Sequence, residues 1–179
     1  MNTNLREEAL GSKQEHLREV EYFYCGPEQE ALEQYLKGEA FKENREHKQK
    51  VYLIKDDKNN IIGYYSLKAN AINFNYEKQN DVRPYVELSE FAINHEYQRK
   101  GYGTYIMLKN VFNKIKEVVK IIGCQGIITF ALDNKAISFY KSVGFEIVDE
   151  SDKIILQDSF SEGCTLMGIS IELINKETL

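Results

Sequence analysis

Apolar and polar positions follow two different periods along this chain, and the switches between them mark its elements. Leu108, Val111, Phe112, Ile115, Val118, Val119 and Ile122 recur three or four residues apart, the spacing of one helix face. They predict a helix of about five turns beginning after Gly103, with Gly123 placed to end it. Ala31, Leu32, Tyr35, Leu36 and Ala40 outline an earlier helix, and Gly26-Pro27 suits its start. Ala136, Ile137, Tyr140 and Val143 predict a short helix that Asp133-Asn134 can cap and Gly144 can stop.

Between these lie shorter runs that read as strands: 22–25, 51–54, 61–67 with room to continue to Ile72, 85–93, 125–132, 145–148 and 165–173. Asp56-Asp57-Lys58-Asn59-Asn60 has the composition of a hairpin connection. Residues 42–50 read as a loop or a solvated helix end, and 73–83 as a polar loop carrying Phe74 and Tyr76. Residues 1–19 read as a polar N-terminal lead, either a frayed helix or a disordered segment, ahead of a single domain over 20–179. Hairpins mixed with strand–helix units predict an α+β, or mixed α/β, sheet with helices on both faces.

Composition narrows the class. Apolar residues make up 42% and charged residues 28% of 179, ordinary for a globular protein with a proper core. No apolar run approaches the roughly 20 residues that span a bilayer, and the N-terminus lacks the apolar core of a signal peptide. Cys25, Cys124 and Cys164 are an odd number without metal-type spacing, so reduced thiols in a cytoplasmic protein are expected. His16, His47 and His95 are scattered and suggest neither a metal site nor a histidine-based triad. The formal charge of −5 lowers the expectation of a surface that grips nucleic acid.

The chemistry concentrates at Gln98-Arg99-Lys100-Gly101-Tyr102-Gly103, a turn between a strand and the longest helix. A helix start carries unpaired N–H groups and the positive end of the dipole, so it can hold a phosphate. Gly101 and Gly103 lack Cβ atoms and let the backbone approach a bulky anion, and Arg99 and Lys100 add charge there. Taken alone, Tyr140 is a core aromatic, Asn134 a helix cap, and Glu87 and Glu90 are strand carboxylates.

Together these residues resemble the GNAT superfamily of acetyl-CoA-dependent N-acetyltransferases. Gln98, Gly101 and Gly103 meet its Gln/Arg-x-x-Gly-x-Gly/Ala phosphate signature. Asn134, followed by Phe139-Tyr140-Lys141-Ser142-Val143-Gly144-Phe145, resembles its second hallmark, and the likeness covers roughly residues 20–173. The resemblance implies a twisted, mostly antiparallel sheet whose central strand pair splays apart for the pantetheine arm. It implies that backbone groups of Phe91, Ala92 and Ile93 pair with that arm. Around Gln98, the amides of Arg99, Lys100, Gly101, Tyr102, Gly103 and Thr104 would cradle the diphosphate. Asn134 would bond the cofactor, and Tyr140 would protonate the leaving thiolate. Glu87 or Glu90 would take the proton of the acceptor ammonium; they have opposite strand parity, and a bulge would exchange which one faces the cleft.

The implied acceptor is a primary amine on a small molecule, peptide or protein, with no metal and no membrane. Phe23-Tyr24-Cys25-Gly26, Gly63-Tyr64-Tyr65-Ser66-Leu67 and Gly123-Cys124-Gln125-Gly126-Ile127 further resemble the branch containing toxins that acetylate aminoacyl-tRNA. That branch is usually basic, whereas this chain is acidic and has Glu90 where a basic residue is usual. Acetylation of charged tRNA is therefore the alternative expectation, and a non-catalytic acyl-CoA-binding regulator the second. The last strands could pair between copies to form a homodimer.

Overall fold

The computed structural model describes residues 4–11, 14–76, 79–148, 153–155 and 163–176. Their contacts form two compact units, Met1–Lys68 with Glu90–Ile106, and Ala69–Ser89 with Met107–Leu179. No helix among the described residues is long and apolar enough to cross a membrane.

In the first unit, β1 (Arg6–Ala9), β2 (Lys50–Lys55) and the leading half of β3 (Ile61–Tyr76) pair antiparallel. The expected polar lead therefore carries a strand, followed by α1 (Gln14–Glu21). Its Arg6-Glu7-Glu8 has no apolar face to betray it; partners far along the chain hold it. Tyr65 donates its hydroxyl to Glu7 at 2.6 Å, and buried Lys55 donates to Glu8 at 3.0 Å and to Glu19 at 2.6 Å. Asp56 turns the hairpin by accepting from the backbone N–H of Lys58 and Asn60.

The 22–25 segment is not a strand. It runs into a 3₁₀ turn at Pro27–Gln29 and then α2 (Glu30–Lys37) and α3 (Glu39–Arg45). Its apolar residues are burial anchors: Phe23 and Cys25 join Leu36, Ala40, Val51, Leu53, Tyr64 and Ala92 in one core.

In the second unit, the expected 73–83 loop is mostly strand. β3 continues to Tyr76 and β4 (Gln79–Ile93) returns, with Glu77 and Lys78 outside the described residues. Alternating polar residues on two long strands hide the pairing from a composition reading. The helical run follows β4 as α4 (Tyr102–Ile106), a π-helical stretch (Met107–Val111) and α5 (Phe112–Ile121). β5 (Gly126–Ala131), α6 (Asn134–Ser142) and β6 (Glu146–Ile147) come next. Then come β7 (Lys153–Ile155), β8 (Thr165–Ser170) and α7 (Ile171–Lys176). The expected 165–173 strand thus breaks into helix at Ile171, and 145–148 shortens to two residues.

The strands pair in the order β1-β2-β3-β4-β5-β8-β6, with β7 on β3. The fold is mixed α/β with a mostly antiparallel sheet. Its parallel contact, β4 with β5, spans only Val86↔Ile127, Glu87↔Ile128 and Leu88↔Thr129. At the last pair the Thr129 hydroxyl donates to the Leu88 carbonyl at 2.9 Å. β5 goes on with β8 through Ala131↔Thr165, beyond its three-residue ladder with β4.

Candidate active site

The glycine-bearing turn belongs to the first unit, and its approach is pinned by side-chain hydrogen bonds. Asn94 donates its N–H to Ile62 O at 2.8 Å and its amide to Ile61 O at 3.2 Å. Its side-chain oxygen caps a 3₁₀ turn at His95–Tyr97 by accepting from Glu96 N–H. The Gln98 amide donates to Cys25 O at 2.7 Å and Ile93 O at 2.9 Å. The motif glutamine thus ties the turn to the 22–25 segment and to the end of β4.

Beyond Gln98 the backbone becomes left-handed at Arg99 (φ 58°) and again at Gly101 (φ 83°). A non-glycine residue in that region carries strain that neighbouring structure must hold. Alternating left-handed residues turn successive N–H groups to one side as an anion nest. The first helical bond closes from Tyr105 N–H to Gly101 O at 3.0 Å. The N–H groups of Tyr102, Gly103 and Thr104 therefore precede any intrahelical acceptor. Arg99 and Lys100 are exposed, and the Lys100 ammonium lies 6.0 Å from the Tyr97 ring centre.

The last residues of β4 share that unit. Ala92 is buried, and Phe91 and Ile93 are half-buried. Gly63 of β3 allows this approach, since a Cβ there would stand 2.6 Å from the Ala92 carbonyl oxygen and 2.9 Å from Ile93 Cδ1. An isolated glycine inside a strand is the sequence signal for such contact. Glu90 is half-buried, and its N–H donates to Ser66 Oγ at 3.0 Å. Burial first, then the Glu90 charge, pushes the Tyr64 hydroxyl well above the usual tyrosine range.

In the second unit, Glu87 is 2% exposed. It accepts from the Asn70 amide at 2.6 Å and the Ser89 hydroxyl at 3.2 Å. Asn70 was not visible as a partner in the sequence, because it lies seventeen residues away on the strand paired by the long hairpin. Asp133, not Asn134, caps α6 by accepting from Ala136 N–H at 2.7 Å. Asn134 occupies the first helical position, exposed, and its side chain makes no hydrogen bond among the described residues. Tyr140 is 8% exposed, its ring 5.3 Å from Phe139 and 5.3 Å from Phe145. The Val143 N–H closes the helix end on the Tyr140 carbonyl, and the positive φ of Gly144 (93°) folds the chain back so that the Phe145 N–H reaches the same oxygen.

The family model for the acetyltransferase (GNAT) domain matches residues 47–147. Several solved structures share the fold over nearly the whole length. A tyrosine-to-phenylalanine mutant of the toxin AtaT bound to the C-terminus of the antitoxin AtaR is 22% identical, with 97% of each chain covered and a TM-score of 0.76. AtaTR bound with AcCoA is 23% identical, with 97% of each chain covered and a TM-score of 0.74. AtaT complexed with acetyl-methionyl-tRNAfMet is 21% identical, covering 96% of this chain and 98% of that one, with a TM-score of 0.75.

Proposed function

The chain belongs to the GNAT acetyltransferase family, and we propose that it moves an acetyl group from acetyl-CoA to a primary amine by direct attack in a ternary complex. Acetyl-CoA is the cosubstrate of this family, and it supplies the thioester carbonyl as the electrophile. We assign to the acetyltransferase domain not only residues 20–179 but also β1 and α1, because β1 pairs with β2 and Lys55 binds Glu8 and Glu19. The observation that carries the reading is the strained 99–104 turn, whose N–H groups have no backbone acceptor among the described residues and stand at the head of the longest helical run described.

In this reading the amides of Arg99 through Thr104 bind the diphosphate, and Arg99 and Lys100 balance its charge. Gln98 shapes that cradle by holding the Cys25 and Ile93 carbonyls. Backbone groups of Phe91, Ala92 and Ile93 align the pantetheine arm. Asn134, free of capping duty, bonds the cofactor. The Tyr140 hydroxyl donates its proton to the departing thiolate, and a carboxylate receives the proton of the acceptor ammonium. Of the two candidates, Glu87 is oriented by Asn70 and Ser89 and takes that role, directly or through water.

A second reading places the acceptor amine on aminoacyl-tRNA. It is favoured by AtaT complexed with acetyl-methionyl-tRNAfMet, a protein matched along almost its full length. The net charge of −5 opposes it. One assay separates the two: release of free thiol from acetyl-CoA by the purified protein against small amines, peptides and aminoacyl-tRNA. Turnover with small amines or peptides supports the first reading, and turnover confined to charged tRNA supports the second. Tight acetyl-CoA binding with no thiol release on any acceptor would refute both in favour of a non-catalytic regulator.

A further inference from the structure

Phe23-Tyr24-Cys25-Gly26 supplies no group to the acetyl transfer proposed above, yet it is joined to the approach to the cradle from Tyr24 onward. The Tyr24 carbonyl accepts the His95 N–H at 2.8 Å, and the Cys25 carbonyl accepts the Gln98 side-chain amide at 2.7 Å. The Tyr24 and His95 ring centres are 5.5 Å apart. Gly26 lies against the same imidazole: a Cβ there would stand 3.1 Å from His95 Nδ1, where ordinary contact begins at 3.4 Å. His95 opens the 3₁₀ turn and Gln98 ends it, and the chain then enters the left-handed Arg99. All of these residues belong to the first unit.

Gly26 has φ 100° and ψ 160°, a region that essentially only glycine occupies. The backbone around it is fixed on both sides. Phe23 and Cys25 are each 1% exposed, and the Phe23 ring meets Tyr64 edge-on with centres 5.5 Å apart. On the other side the Gly26 carbonyl accepts the Gln29 N–H at 3.1 Å, closing the turn at Pro27–Gln29. A side chain at position 26 therefore has two ways to relax. It can rotate about N–Cα out of the disfavoured φ, which swings the peptide plane carrying the Cys25 carbonyl. It can instead push the His95 ring aside. Either movement displaces a residue that holds the entry to the 99–104 turn.

We infer that Gly26 is a positioning residue for the diphosphate cradle: the Tyr24–Gly26 segment is the template against which His95 and Gln98 set the direction of the 99–104 amides. This role rests on the cofactor reading of that turn and places one of its determinants outside the motif itself. Hydrogen bonds from main-chain N–H groups to a phosphate depend on direction. A displaced turn loses them, whereas the backbone contacts assigned to the pantetheine arm lie on β4 and persist.

The test is calorimetric titration of coenzyme A and of pantetheine into wild type, Gly26→Ala and Gly163→Ala. Gly26→Ala should weaken coenzyme A about tenfold and pantetheine by less than about twofold, so the preference for coenzyme A falls about tenfold. Gly163, in the second unit, is the control: its φ is 87° and an added Cβ would meet nothing within 4 Å. Gly163→Ala thus strains the backbone without touching a neighbour, and the preference should stay within about twofold of wild type. His95→Ala, at an exposed position, removes the ring without straining Gly26. It should lower the preference about threefold, and it decides the matter if Gly26→Ala does not fold. A purely structural role would leave the ratio of the two affinities unmoved. An unchanged ratio in Gly26→Ala, or an equal fall in Gly163→Ala, overturns the positioning role and leaves the cradle its diphosphate. Where only His95→Ala folds, an unchanged ratio in that variant overturns it. A wild-type protein without preference for coenzyme A refutes the cofactor reading, and this role with it.

Discussion

Gly63→Ala should weaken cofactor binding more than its cost in stability would suggest. The added Cβ would meet the Ala92 carbonyl oxygen at 2.6 Å, where ordinary contact begins at 3.4 Å. The obstacle is backbone, so β4 must retreat or β3 must bend. Overpacking of this kind costs about 1–3 kcal/mol. The retreat falls on the backbone proposed to align the pantetheine arm, and losing one such hydrogen bond weakens coenzyme A by roughly three- to tenfold. Gly126→Ala is the control. Its Cβ would lie 2.1 Å from the Ile169 carbonyl, a harsher clash, but on β5 and β8 rather than on residues assigned to the cofactor. It should cost about 3 kcal/mol or more while the folded protein keeps coenzyme A affinity within about twofold. Urea denaturation gives the stabilities, and calorimetry on the folded protein gives the affinities. Wild-type affinity in Gly63→Ala, or an equal loss in Gly126→Ala, would refute the role given to the end of β4.

Three further predictions follow from the same geometry. Tyr140→Phe should lower kcat by about a hundredfold or more, the scale of general acid catalysis, with KM for acetyl-CoA little changed; an unchanged turnover rate removes Tyr140 from proton transfer. Gln98→Ala strips the amide donor from two carbonyls and should cost about 1–3 kcal/mol in urea unfolding together with a loss of coenzyme A affinity; undiminished affinity would make the glutamine irrelevant to the cradle. Glu8 is held at about 2, from an ordinary 4.5, chiefly by the Lys55 hydrogen bond and next by His16. A folded value below the unfolded one stabilises fully above about pH 5 and is lost as pH falls toward 2. With the side chain 31% exposed, solvent screening leaves roughly 1–2 kcal/mol. Glu8→Gln should flatten stability against pH in that window, and an unchanged slope would contradict the assignment.

Around the candidate site, turns and caps were legible in the sequence wherever backbone conformation demanded particular residues. Gly101 and Gly144 adopt positive φ, Asp133 caps a helix, and α5 keeps a one-sided apolar face. Those signals are local, so a single chain displays them. What escaped reading depends on partners distant in sequence. β1 shows no apolar periodicity and is held by Tyr65 and Lys55, more than forty residues away. Residues 73–83 looked like a loop because their sequence is mostly polar, although Phe74 joins a core with Ile72, Ile128 and Leu166. The 22–25 run looked like a strand because Phe23 and Cys25 are buried, although its carbonyls serve His95 and Gln98 rather than a ladder. The Glu87–Asn70 contact was invisible for the same reason: register decides it, and register is a property of the folded sheet.

The central claim is that bare main-chain amides of the 99–104 turn hold a diphosphate. Calorimetric titration with coenzyme A and with pantetheine, which lacks the diphosphate, tests it most directly. Coenzyme A should bind at least about a hundredfold more tightly, the worth of one or two charge-assisted hydrogen bonds. Equal affinity for the two would contradict it.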